Sequence, residues 1–168
     1  MINKLLVAYD GSKQAEKAYS LALDMASKYS SNMIVLSVAR PPEPPVAVEL
    51  EAALESATAY YEGHFKGMKE RAEAAGIEAV FVVRVGHPAE QIVHMADEEA
   101  ADAIVMGHRG ESFLQRWLLG SVAKRVLSYA HCTVVVDAFK EEWAKGRPAK
   151  APGIGLPVEG TLPLPPLP

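Results

Sequence analysis

From residue 107 to residue 122 the chain reads Gly107-His-Arg-Gly110-Glu-Ser-Phe-Leu-Gln-Arg-Trp-Leu-Leu-Gly120-Ser121-Val122, and the chemistry this spacing suits is phosphate binding. Glycines at 107 and 110 let the backbone approach a ligand closely and take conformations that other residues avoid. Gly120-Ser121 opens a helix, whose free N–H groups and dipole favour an anion, and the serine hydroxyl adds a further hydrogen bond. One loop thus joins two backbone elements suited to phosphate. Arg109 reads equally well as a charged phosphate contact and as a solvated surface arginine. Phe113, Trp117 and Leu118 read first as packing residues and second as a lid. A shorter signal, Asp10-Gly11-Ser12, is on its own a common turn and helix cap.

The motifs that are missing separate holding a ligand from processing one. No Gly-x4-Gly-Lys-Ser/Thr supplies a P-loop lysine. No Gly-x-Gly-x-x-Gly follows the first strand, which argues against NAD or FAD. No Gly-x-Ser-x-Gly elbow offers a hydrolase nucleophile. Near the proposed phosphates there is neither a carboxylate pair for magnesium nor an evident base for water. No catalytic residue and no protein-only metal site is therefore assigned. His64 and His94 read as surface or core-edge residues; His87, before Pro88 at a helix start, has no second catalytic group to pair with. The single cysteine, Cys132, excludes an internal disulfide and a multi-cysteine zinc site, and reads as a small hydrophobe. A net charge of −4 gives no reason to expect a nucleic-acid surface. No apolar run approaches a membrane span, and no signal-peptide pattern precedes the first strand, so the expectation is a cytoplasmic protein.

These candidates need elements to hold them. Lys4 to Tyr9 is a continuous apolar run that ends in the Asp10-Gly11-Ser12 turn, the mark of a buried strand. Ser12 can cap a helix that carries Ala15, Ala18, Tyr19, Ala22, Ala26 and Tyr29 at helical spacing. A second strand spans Met33 to Val38. A long helix follows from about Val48 to Ala75, with Leu50, Leu54, Ala57, Tyr61, Met68 and Ala72 on one face and Gly76 as its stop. Glu78 to Val85 is a third strand, and Gly86-His-Pro88 starts the next helix. Ala103 to Met106, Ser121 to Ala130 and Thr133 to Val136 read as strand, helix and strand. Strands of this kind alternating with helices predict an α/β, doubly wound, three-layer fold. Its five-stranded parallel sheet takes the order 3-2-1-4-5. The domain is expected to span residues 1–138. Residues 139–168 form a Pro-rich extension: the stretch from Gly146 to Pro168 holds seven of the twelve prolines, which bars helix and central strand. It reads as a tail or, secondarily, as an arm that docks on a partner.

The spacing Gly-x2-Gly-x9-Gly-Ser/Thr, together with Val7-Ala-Tyr-Asp-Gly-Ser12, Gly86-His-Pro-Ala-Glu-Gln-Ile92 and Leu118-Leu-Gly-Ser-Val122, resembles the nucleotide-binding type of the universal stress protein family. The resemblance covers about residues 1–138 and implies a Rossmann-like fold of the adenine nucleotide alpha hydrolase type. It implies that Asp10 contacts the nucleoside, with Ala8 where such members often carry proline, and that the backbone near Val38 meets the adenine. Met106, Gly107, Gly110, Gly120, Ser121 and Val122 match the loop that holds ribose and phosphates, and Arg109 lies within it. Two departures stand out: Thr133 replaces a frequent proline, and His108 adds a titratable group beside the phosphates. The implied ligand is ATP or another adenine nucleotide, with or without Mg²⁺. The implied role is a regulatory one in stress response, binding rather than turning over nucleotide. Two other readings stay open: a nucleotide-free dimerising scaffold, and a slow ATPase on the same pocket. In the resembling family the last strand pairs antiparallel with its copy, which implies a homodimer through the fifth strand. Neither a nucleic acid nor a membrane is expected as partner.

Overall fold

A computed structural model describes residues 1–41, 47–108 and 119–138, with the backbone alone for 47–50. Arg109, Gly110, Phe113, Trp117, Leu118 and the Pro-rich extension lie outside the described residues. The apolar runs form the strands β1 (Lys4–Ala8), β2 (Asn32–Ala39), β3 (Ala79–Val85), β4 (Ala103–Gly107) and β5 (Thr133–Asp137). Leu5, Leu6 and Val7 of β1 and Ile104 and Val105 of β4 are fully buried, as central strands covered on both faces must be. The sheet is parallel throughout, in the order β3-β2-β1-β4-β5.

Helices α1 (Lys13–Tyr29), α2 (Ala47–Ala74), α3 (Pro88–Glu98) and α4 (Ser121–Tyr129) cover the sheet. On one face Ala15, Ala18, Tyr19, Ala22 and Ala26 of α1 join Tyr61, Phe65, Met68 and Ala72 of α2 over Leu5, Val7, Met33 and Val35. On the other, Ala89, Ile92, Met95 and Ala96 of α3 join Ala123 and Val126 of α4 over Leu6, Ile34, Leu36 and Ile104. Alternate strand residues therefore feed the two layers, the period of two that a strand imposes.

Local chemistry sets the helix ends. The Ser12 hydroxyl accepts from the Ala15 N–H at 3.1 Å and starts α1, Pro88 takes the first position of α3, and Gly76, at φ +67, follows α2. There the Ile77 N–H donates back to the Ala72 carbonyl at 2.9 Å, closing the helix as a left-handed glycine allows. The two predicted apolar faces are shorter than their spacing suggested. Tyr29 is 50% exposed, because it falls in the last turn of α1 beyond the sheet. Leu54 is also exposed, while Phe65, absent from the predicted face, is buried.

Candidate functional site

Neighbouring strands β1 and β4 leave the sheet in opposite directions. β1 feeds α1 in one layer, and β4 leads toward α4 in the other. That divergence opens a crevice beyond their carboxyl ends, where doubly wound sheets bind ligands. Ala8 and Met106 are the last paired residues on its two sides.

On the β4 side, the two ends of the segment from 108 to 120 are joined. The Gly120 N–H donates to the His108 carbonyl at 2.8 Å, and the His108 N–H donates to the Asp137 carbonyl at 3.0 Å. This clasp sets the N-terminus of α4 beside the end of β4. Lys124 N–H bonds to the Gly120 carbonyl, and the N–H groups of Ser121, Val122 and Ala123 precede the first residue that can bond back within the helix. They are the donors available to an anion, aided by the helix dipole. Gly120 has φ −61 and ψ 153, extended geometry that any residue can adopt. The conformation here therefore does not itself require glycine.

On the β1 side, Asp10 is exposed and its Oδ1 accepts from the Ser12 N–H at 3.0 Å. Gly11 turns the chain at φ +84. The exposed carboxylate is thereby held by the turn through Oδ1. Ala8, Val38, Met106 and Val122 all send their side chains into the layer beneath α3 and α4, so any ligand contact from them is through backbone. The structure thus brings Ala8, Asp10, Met106 and Gly107 to one crevice and joins Gly120, Ser121 and Val122 to it through the clasp. Val38 lies two residues past Leu36, whose carbonyl accepts from the Tyr9 N–H at 2.9 Å.

Several polar features here escape a local reading of the sequence. The Tyr9 hydroxyl lies 3.2 Å from His64 Nδ1 and 3.5 Å from Glu16 Oε2. Burial, followed by the Glu16 carboxylate, pushes its pKa up to about 12. Glu16 in turn pairs with Arg71, which stacks over the Tyr19 ring. Ser37, fully buried on β2, has a hydroxyl with no partner among the described residues. Cys132 packs half-buried against the α3–α4 layer, and burial, then Asp97, raises its thiol pKa. A raised thiol pKa leaves less of the nucleophilic thiolate. Among the described residues no group of three or more His, Cys, Asp or Glu could hold a metal ion, and no helix is long and apolar enough to cross a membrane.

A five-stranded doubly wound sheet with a clasped helix N-terminus at its switch point defines a Rossmann-like α/β domain. The chain belongs to the universal stress protein family, whose model matches residues 1–137. It is 31% identical over 152 residues to the universal stress protein YxiE of Bacillus subtilis, across 81% of this chain and 99% of that one. Its fold is similar to that of the hypothetical protein MJ0577 of Methanocaldococcus jannaschii, with a TM-score of 0.68 and 27% identity over 81% of this chain and 95% of that one. A universal stress protein solved in complex with cAMP is also similar, with a TM-score of 0.63 and 26% identity over 81% of this chain and 97% of that one.

Proposed function

We propose that this protein binds an adenine nucleotide, ATP foremost, as a regulatory component of a cytoplasmic stress response, and retains it without turnover. The observation that carries the reading is the His108–Gly120 clasp, which sets the N-terminus of α4, with its free N–H groups, beside the end of β4. The donor set suits a phosphate: backbone N–H groups at a helix N-terminus capped by a glycine, and the Ser121 hydroxyl. The cAMP complex of a family member supports an adenine nucleotide over other phosphorylated ligands. In this reading Ala8, Asp10 and Val38 border the nucleoside, while Met106, Gly107, Arg109, Gly110, Gly120, Ser121 and Val122 serve ribose and phosphates. Mg²⁺ would arrive with the phosphates rather than on protein carboxylates. Mass spectrometry of nucleotide released from the purified, denatured protein tests this directly: adenine nucleotide is expected, and its absence together with no binding of added ATP overturns the reading.

Asp10→Ala is expected to weaken ATP binding by about 1–3 kcal/mol, the cost of leaving a buried hydrogen-bonding group without its partner. Asp10→Asn separates the two roles of the carboxylate, because it keeps an acceptor for the Ser12 N–H but removes the charge. A rise in affinity on removing the charge, measured by calorimetry, would mean that Asp10 faces the phosphates. Hydrolysis is expected to stay near ~10⁻⁴ s⁻¹, the scale of the slow intrinsic rate of GTPases without an activating partner. A rate above about 1 s⁻¹, as in ordinary enzymes, would make the protein an ATPase. We also propose a homodimer formed through β5.

A further inference from the structure

Three of the tyrosines pack against the turn after β1 or the helix behind it, and their hydroxyls meet different fates. Tyr9 is bonded to His64 and Glu16, and Tyr19 donates to the Met68 carbonyl at 2.6 Å. Tyr60, on α2, makes no hydrogen bond among the described residues. It stands one position off the buried face that Tyr61, Phe65, Met68 and Ala72 form and is 54% exposed. The core does not need it.

Its ring is nonetheless held in place. It meets Tyr61 edge-on at 5.0 Å between centroids and His64 at 5.2 Å. Its hydroxyl edge lies over Gly11, where a Cβ would come within 3.2 Å of Oη and 3.7 Å of Cε1. Gly11, already required by its φ of +84, therefore also leaves room for the phenol. The residue on one side of Gly11 is Asp10, with its exposed carboxylate; the residue on the other is Ser12, the cap of α1. A pre-positioned aromatic with a free donor thus borders the carboxyl end of β1. On the same side of the sheet, Ser37 of β2 carries the buried hydroxyl without a partner, one residue before Val38.

We propose that Tyr60 is a wall of the nucleoside half of the site, its ring against the base and its hydroxyl donating to the nucleoside. The inference rests on the adenine-nucleotide reading and adds a contact from α2, an element that the glycine motif does not include. Aromatic faces suit purine bases, and a ring already fixed by its neighbours loses little freedom when a ligand arrives.

Calorimetry on the full chain with adenosine and with ATP, for wild type, Tyr60→Phe and Tyr60→Leu, tests it. Loss of a base–aromatic contact should weaken both ligands about thirtyfold in Tyr60→Leu. Tyr60→Phe keeps the ring and should weaken both about threefold, through one lost hydrogen bond. A nuclear Overhauser effect between adenine protons and a tyrosine ring, absent in the leucine variant, reports the contact itself. Should Tyr60→Leu fail to fold, the phenylalanine variant and the wild-type Overhauser effect decide. Wild type binding ATP with no Overhauser effect, or with unchanged affinity in both variants, overturns the role of Tyr60 and leaves the nucleotide reading intact. A loss confined to ATP also overturns it, since it would put Tyr60 beside the phosphates. Wild type binding neither ligand overturns both.

Discussion

Gly120→Val is expected to abolish detectable ATP binding while leaving the far-ultraviolet circular dichroism spectrum unchanged. The backbone at this position, φ −61 and ψ 153, is one that valine adopts readily, so the clasp from the Gly120 N–H to the His108 carbonyl can persist. Valine is a poorer N-cap than glycine, at a cost of up to about 1 kcal/mol, which a folded domain tolerates. Its branched side chain, however, would stand over the first turn of α4, where a phosphate must come within hydrogen-bond distance of the N–H groups of Ser121 and Val122. Wild-type affinity is expected in the micromolar range, about −8 kcal/mol, and a drop to beyond millimolar corresponds to about 4 kcal/mol. Adenosine, which carries no phosphate, should bind the variant as it binds wild type. Unchanged ATP affinity by calorimetry would remove the phosphate role from this helix.

That expectation depends on a detail that no pattern in the sequence contains. Glycine at a helix start reads equally as conformational need or as clearance, and only the dihedral angles separate the two. The order of the elements was far more legible. Buried strands announce themselves as unbroken apolar runs such as Leu5–Ala8; Ser12 and Pro88 mark helix starts by local hydrogen-bonding and steric rules; Gly76 marks a stop. Each of these acts over a few residues, and right-handed crossovers then leave few ways to order the strands. What could not be read depends on chain segments far apart in sequence. Tyr60 reaches Gly11 and Tyr9 reaches His64 across a separation of 55 residues. The Asp102 carboxylate accepts from the N–H groups of Asn3 and Lys4 across 99 and 98 residues, and these bonds hold its pKa below the usual range. Helical spacing identified a face of α2 but not how far along the helix the sheet extends. Hence Leu54 is exposed and Phe65 buried.

A single substitution on the outer side of β5 is expected to convert a homodimer to a monomer. Among the described residues β5 is hydrogen-bonded to β4 alone, with Val135 in register with Val105. The Thr133 N–H donates to the Asp102 carbonyl, and the Asp137 carbonyl accepts from His108. In a parallel ladder alternate residues turn their N–H and C=O groups to the same neighbour, so those of Val134 and Val136 point away from the sheet. Valines whose outward backbone groups take no partner among the described residues, with no lysine or proline among them, are an open template for another strand. A twofold pairing with a second copy would close that edge, and twofold dimers are the commonest soluble assembly. Light scattering should give twice the 18.1 kDa of one chain. Val136→Pro removes an outward N–H, which edge positions tolerate, and spares the bonds to β4; the mass should fall toward one chain. Val135→Lys should act in the same direction, since an unpaired ammonium buried in each copy costs several kcal/mol. It also disturbs packing, because Val135 contacts the α1–α2 layer, so the proline variant is the cleaner measurement. A wild-type monomer at tens of micromolar, or a Val136→Pro dimer of unchanged mass, would mean that β5 is covered by something other than its copy.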